Sequence, residues 1–363
     1  MGLSVGIVGL PNVGKSTTFN ALTKAANAEA ANYPFCTIEP NKAVVNVPDN
    51  RLNELAKIVN PDRMQYSQIE FVDIAGLVRG ASKGEGLGNK FLSNIRDCDM
   101  ILHIVRCFED ENITHVEGGV DPVRDAQIID TELILADIEQ ISKKVTRLEK
   151  EAKANVKGAK DLLDVANQLL DFLNEDKPAR DFEKTDAFLE LNKELRLLSA
   201  KDVVFGANVD EENLKEDNKY VKAIKEYAKN SEVIKLCAKI EEELIGLDDD
   251  EAKEFLDELG VEYSGLENII RTSFAKLNLI SYFTAGKVEV RAWTITKGTK
   301  APKAAAVIHN DFERGFIKAE VISYDDFIAC GGESGAKEQG KLRLEGKDYI
   351  VNDGDVMHFR FNV

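Results

Sequence analysis

An apolar, uncharged run at residues 3–8 leads directly into Gly9-Leu10-Pro11-Asn12-Val13-Gly14-Lys15-Ser16 and then into helix-compatible residues 17–25. This G-x-x-x-x-G-K-S string, set between a strand and a helix, constrains the fold more than any other feature of the chain. Gly9 and Gly14 allow the backbone to wrap closely around an anion. The amides of Asn12, Val13, Gly14, Lys15, Ser16 and Thr17 then face phosphate oxygens at a helix N-terminus. Lys15 is placed to neutralise the β- and γ-phosphates, and the Ser16 hydroxyl to ligate Mg²⁺, a hard ion that takes oxygen donors. The strand before the loop has no basic leader, so it reads as a buried strand rather than a signal peptide.

The rest of the chain is organised around that unit. Further apolar runs at residues 44–47, 69–74 and 100–107 alternate with helical or loop segments, the pattern of a parallel sheet with crossover helices. From residue 123 to 199 the chain is helical and charged. There Ile134, Ile138, Ile141, Val145 and Leu148 step by 4, 3, 4 and 3, a heptad stripe that packs one helix on another. Helices are expected again over 162–173 and 186–198, with Pro178 between them. Strands return at 203–207 and 233–236, so the helical block reads as an insertion. A helix is expected over 264–280, with Ser264 and Glu267 at capping-box spacing. Strands then follow at 288–296, 341–344, 348–351 and 356–361, with Asp353-Gly354-Asp355 as a turn. The expected fold is α/β, a P-loop domain (1–122 and 200–280) with a helical coiled-coil insertion (123–199) and a small C-terminal domain (281–363). A length of 363 residues suits two or three domains.

Net charge sharpens the partner question. Lys plus Arg number 47 and Asp plus Glu 64, for −17, yet residues 281–363 carry 12 of each. The acidic excess therefore lies in residues 1–280 and argues against bulk nucleic-acid binding there. In the tail, Arg291, Lys297, Lys300, Lys303 and Arg314 beside Phe312 and Phe316 are candidates for a local basic face. No run of roughly 18 uncharged apolar residues is present. Five scattered cysteines without a CxxC pair point to a reducing, cytoplasmic setting and away from structural zinc.

A phosphate loop predicts companion groups. Asp73 closes an apolar run as Asp73-Ile74-Ala75-Gly76, where the carboxylate would hold Mg²⁺ through water and the Gly76 amide would sense the γ-phosphate. Thr37 would complete the metal shell only when that phosphate is present. GTPases of this order read guanine with N-K-x-D after a late strand. Here the string is Asn208-Val209-Asp210-Glu211: the lysine is replaced by Val209 and the fourth position is Glu211. A site built around specific donors discriminates strongly, and one displaced by a methylene does not. Guanine specificity is therefore expected to be lost, with Asn208 and the backbone at Val209 left to contact adenine. Leu77 stands where many GTPases have a water-orienting glutamine. His115, in a loop with Gly118 and Gly119, is a candidate to take that role, whereas His103 reads as a core histidine.

These strings, with Asn32-Tyr33-Pro34-Phe35-Cys36-Thr37 and Gly80-Ala81-Ser82-Lys83-Gly84-Glu85-Gly86-Leu87-Gly88, closely resemble the YchF family of Obg-related ATPases. The resemblance covers the whole chain. It extends to Ala292-Trp293-Thr294-Ile295, to Ile308-His309-Asn310-Asp311-Phe312-Glu313-Arg314-Gly315, and to a tail similar to a TGS domain, a ubiquitin-like β-grasp module. The resemblance implies a Mg²⁺-dependent ATPase that prefers ATP to GTP. It implies binding to the ribosome or its large subunit, and it supports His115 as a mobile-loop histidine. A monomer acting as a slow regulatory switch is expected. The competing readings are a GTP-specific translation GTPase and an RNA-binding module whose nucleotide use is vestigial.

Overall fold

Residues 3–30, 41–74 and 87–362 are described in the structure, a computed structural model. Thr37, Gly76 and Leu77 lie outside the described residues. The chain divides into two compact units, residues 1–43 with 70–269 and residues 44–69 with 270–363.

The elements in chain order begin with β1 (Ser4–Val8), α1 (Lys15–Ala30), β2 (Lys42–Asn46), α2 (Asn50–Val59), β3 (Arg63–Gln65) and β4 (Gln68–Asp73). Then come α3 (Leu87–Asp97), β5 (Met100–Arg106), α4 (Pro122–Lys153), α5 (Ala159–Asn174), α6 (Asp186–Leu195), β6 (Val203–Asn208), α7 (Lys219–Ala228) and β7 (Glu232–Leu236). The first unit's sheet runs β2-β4-β1-β5-β6-β7, and β4, β1, β5, β6 and β7 pair in parallel. Every residue of β1, β5 and β6 is buried, which is why these strands read as unbroken apolar runs and not as alternations. α3, α4 and α7 supply Phe91, Ile95, Ile129, Leu133, Val221 and Ile224 to the core against Val8, Ile101 and Phe205.

Helix α4 belongs to two cores. Ala126, Ile129 and Leu133 pack beneath the sheet, while Ile134, Ile141 and Leu148 pack with Leu169 and Leu173 of α5 and with Phe188 and Leu191 of α6. The heptad stripe thus makes the expected seam, with Ile138 and Val145 partly buried along it. The helix starts at Pro122, and Asp121 caps it by accepting from the Arg124 amide at 3.0 Å. At the root of the hairpin, Asp137 accepts from the amides of Leu198 and Ser199 and from the Ser199 hydroxyl. Asp130 takes a bidentate Arg180 at 2.9 and 2.6 Å and the Tyr227 hydroxyl at 2.7 Å.

After β7 come α8 (Ala238–Leu244), α9 (Asp249–Leu259) and α10 (Gly265–Lys276). Ser264 accepts from the Glu267 amide as the sequence spacing predicts, but the helix stops at Lys276 and not at residue 280. The chain then forms β8 (Leu279–Ala285), β9 (Glu289–Thr296), α11 (Ala301–Ile308), α12 (Asn310–Arg314) and β10 (Phe316–Ser323). It ends with α13 (Tyr324–Ala329), α14 (Glu333–Glu338), β11 (Arg343–Glu345) and β12 (Asp355–Phe361). The second unit's sheet has the order β11-β10-β12-β8-β9-β3. An antiparallel β8–β9 hairpin sits beside a parallel β12, α11 covers one face, and β10 pairs antiparallel to β12, which is β-grasp topology.

Two further features depart from the sequence reading, besides the earlier end of α10 and the unforeseen β10. Residues 44–69, placed there in the nucleotide-binding domain, pack with the C-terminal unit: β3 extends its sheet parallel to β9, and Leu52 and Leu55 of α2 fill its second face with Phe283, Val290 and Ile322. The strand expected at 348–351 reduces to one bridge between Ile350 and Lys300.

Candidate nucleotide-binding site

The phosphate loop leaves β1 at Gly9, where an added Cβ would stand 2.7 Å from the Ile104 carbonyl oxygen. Asn12 takes φ 64° and Gly14 φ 98°, both in the left-handed region. At Gly14 a Cβ would stand 2.1 Å from the Asn208 side-chain nitrogen, so the loop closes only with glycine there. Val13 is fully buried and anchors the loop from inside. Thr18 returns both its amide and its hydroxyl to the Gly14 carbonyl, at 2.9 and 3.0 Å, and starts α1 firmly. Ser16 is exposed in the first turn of α1 and Thr17 is half-buried beside it.

Asn208, at the end of β6, stitches this loop to the next one. Its Nδ2 donates to the Val13 carbonyl at 2.9 Å, and its Oδ1 accepts from the Ala238 amide at 3.1 Å. It therefore shapes the phosphate loop with one Nδ2 hydrogen and keeps the second for a base. Val209 faces the core at 2% exposure, and its amide donates to the Leu236 carbonyl. Any base contact at this position falls to backbone carbonyls. Asp210 caps the short turn Glu211–Asn213 by accepting from Asn213, which leaves the Glu211 carboxylate exposed at the loop. Lys239 is exposed at the start of α8.

Lys15 Nζ pairs with Asp73 Oδ1, with the side chains 10% and 20% exposed. The two motifs, 58 residues apart in sequence, are thus brought together at the C-terminal edge of the sheet. Among the described residues no group of three or more His, Cys, Asp or Glu side chains could hold a metal. The donors at the loop, the Ser16 hydroxyl and the Asp73 carboxylate, are hard oxygens, few in number, and suit a Mg²⁺ that takes its remaining ligands from phosphate and water.

His115 is buried, its side chain 4% exposed. Its Nε2 lies 2.8 Å from Asp125 Oδ2, and its Nδ1 accepts from the Glu117 amide at 3.1 Å. The neighbouring Thr114 carbonyl accepts from Asn12 Nδ2 at 3.1 Å, so this loop is tied to the phosphate loop one residue from the imidazole. Sequence reasoning missed three residues here. Arg106 is 1% exposed and donates to the carbonyls of Phe108, Asp110 and Ile113, with its guanidinium 4.7 Å from the Phe108 ring centre. Arg124 donates to the Gly119 carbonyl at 2.7 Å and pairs with Asp125 at 3.0 Å. The one available signal was an arginine closing an otherwise apolar strand. His103 is the core residue expected: it stacks on Phe205, and burial pushes it down to about 4.

In the C-terminal unit, two of the five cations of the anticipated basic face have carboxylate partners. Lys300 pairs with Asp348 and Lys303 with Glu313, both at 2.7 Å. Phe316 lies in the core and Phe312 stacks on Phe361 at 3.8 Å. Arg291 covers the Trp293 ring at 3.7 Å, and Lys297 and Arg314 are exposed. No helix of the described residues is long and apolar enough to cross a membrane.

Two family models match the chain. One, described as a 50S ribosome-binding GTPase, covers residues 4–144, and the YchF GTPase C-terminal model, described as a protein of unknown function, covers 279–362. The ribosome-binding ATPase YchF of Bacillus subtilis is 54% identical over 367 residues, with 100% of both chains covered. Its Haemophilus influenzae counterpart is 56% identical over 365 residues, again with 100% of both chains covered. The solved structure of the Schizosaccharomyces pombe YchF GTPase superposes with a TM-score of 0.89 at 40% identity, covering 99% of this chain and 97% of that one.

Proposed function

The chain belongs to the YchF family, and we propose that it is a Mg²⁺-dependent P-loop ATPase that turns over slowly, prefers ATP to GTP and acts as a switch on the ribosome, through the large subunit. One observation carries the catalytic part: the Lys15–Asp73 ion pair at the mouth of a phosphate loop pre-formed by Asn208. An anionic nucleotide and a cationic metal can each take one partner of that pair. Lys15 then meets the β- and γ-phosphates, while Ser16, Asp73 and Thr37 hold Mg²⁺. A Mg²⁺ held by these oxygens would supply positive charge to offset the negative charge that develops on the phosphates. The amides of Gly9, Asn12, Val13, Gly14 and Thr17 line the anion, the Gly76 amide meets the γ-phosphate, and His115 positions the attacking water.

The preference for adenine rests on the base loop. With Val209 in the core and Asp210 engaged as a cap, the one remaining side-chain carboxylate of the string is that of Glu211, a methylene longer than the aspartate that pairs with guanine. Asn208, Val209 and Glu211 then frame the base without its donor-specific readout. Ribosome binding is supported by the Bacillus subtilis and Haemophilus influenzae relatives, which are named as ribosome-binding ATPases. The helical block (123–199) and the C-terminal domain (281–363) are the surfaces that would report the nucleotide state to that partner. Equilibrium titration of nucleotide-free protein with ATP and with GTP at equal Mg²⁺ tests the assignment. Tighter ATP binding is expected, and tighter GTP binding would hand the site to a translation GTPase.

A further inference from the structure

Residues 107–121 fold back between β5 and α4 and are clasped by two arginines. Arg106 holds the first half from inside through the carbonyls of residues 108, 110 and 113. Arg124, with its side chain 31% exposed, holds the second half through the carbonyls of Glu117 and Gly119 and pairs with Asp125. The Glu117 amide donates to His115 Nδ1, which makes Nδ1 an acceptor and places the ring proton on Nε2. That N–H donates to Asp125 Oδ2 at 2.8 Å, inside a pocket where Asp125 is 1% exposed. An imidazole with both nitrogens engaged has neither a lone pair nor a proton left for a water molecule.

The loop's outer surface is built differently. Ile113 and Val116, on either side of the histidine, are 37% and 52% exposed. No atom lies within 4 Å of where a Cβ would stand at Gly118 or Gly119, and Gly118 takes φ 77°. The imidazole faces inward while an apolar handle faces out, beside a glycine pair with room to turn. Asn12 ties the same loop to the phosphate-binding backbone through Thr114.

We propose that Asp125 is a positioning residue that withholds His115 from the nucleotide: the buried His115–Asp125 pair, closed by Arg124, is a latch that opens only when loop 107–121 is displaced. The proposal rests on the reading of His115 as the group that positions the attacking water. The latch makes low intrinsic turnover a property of the closed loop, and it gives a partner that grips Ile113 and Val116 a means of raising it.

The test uses the full chain with Asp125→Asn, which keeps the shape and removes the charge. Two quantities are read: ATP turnover without ribosomes, and hydrogen exchange of the amides of residues 112–119. Both are expected to rise several-fold, and the gain in turnover is expected to vanish in Asp125→Asn with His115→Ala. Arg124→Gln, at a partly exposed position, should act in the same direction if the first variant folds poorly. In the unaltered protein, nitrogen shifts of the imidazole should report the neutral Nε2–H form. Turnover that falls toward the His115→Ala level with unchanged exchange would overturn the latch, because Asp125 would then be orienting the ring for chemistry. Unaltered turnover in His115→Ala alone would instead sink the role given to His115, while the exchange data still decide whether Asp125 closes the loop.

Discussion

Two places in the first unit bury charge to similar depth and treat it in opposite ways. At the root of the helical insertion, Arg180 and Asp130 are 10% and 7% exposed, joined by two hydrogen bonds, with Tyr227 supplying a third to the carboxylate. At the mouth of the phosphate loop, Lys15 and Asp73 are 10% and 20% exposed and share a single contact. A bidentate guanidinium pair fixes geometry, whereas an ammonium is a point charge that exchanges partners easily. The first pair locks a joint and the second keeps a site ready for a charged ligand.

The largest effect that can break this comparison lies at the root. Arg180→Ala strands a buried carboxylate and is expected to cost about 3–5 kcal/mol in urea unfolding, with ATP affinity unchanged. A cost near zero would mean that the two pairs are equivalent. Glu241 offers a third case, a buried carboxylate held by amides and the Ser264 hydroxyl. Burial pushes it up to about 7 against those hydrogen bonds, from an ordinary 4.5. The unfolded chain ionises this group from about pH 4.5 while the folded chain keeps the proton to about 7, so stability falls across that window as pH rises and the full cost applies above it. The unaltered protein is therefore expected to lose about 3 kcal/mol between pH 4 and pH 8 through this group, and Glu241→Gln to remove that pH dependence, read from denaturant curves at both. Lys15→Ala should weaken ATP binding about 100-fold by calorimetry, about 2.7 kcal/mol, yet cost less in unfolding than Arg180→Ala, because Asp73 at 20% exposure regains water. The smallest effect is at the start of α4, where Asp121→Ala removes a helix cap and should cost about 1 kcal/mol.

Much of the first unit was legible because its signals are local. The strand before Gly9, the apolar runs ending at Asp73 and Arg106, and the heptad from Ile134 to Leu148 each carry their period in contiguous residues. The phosphate loop and its two glycines could be read the same way. What escaped depends on distant partners. Nothing local in Arg63-Met64-Gln65 announces a strand parallel to β9, yet that pairing carries residues 44–69 into the second unit. β10 was hidden because its register shifts between Phe316 and Lys318, which breaks strict alternation. In the site, the second duty of Asn208 escaped: its two hydrogen bonds join Val13 to Ala238, separated from it by 195 and 30 residues. The Arg106 clasp uses backbone carbonyls, which have no residue signature at all.

Helix α4 has one more consequence. It is 32 residues long, about 48 Å at about 1.5 Å per residue, and its first turns are cemented beneath the sheet whose edge carries the phosphate loop. Roughly 20 residues, or about 30 Å, extend past Leu133 into the hairpin. A rigid rod seated in this way is a mechanical amplifier: a tilt of about 5° at its seat sweeps the far end by about 3 Å. A rearrangement too slight to disturb the packing around Ile129 thus becomes, at Lys153, a displacement as large as a hydrogen bond is long.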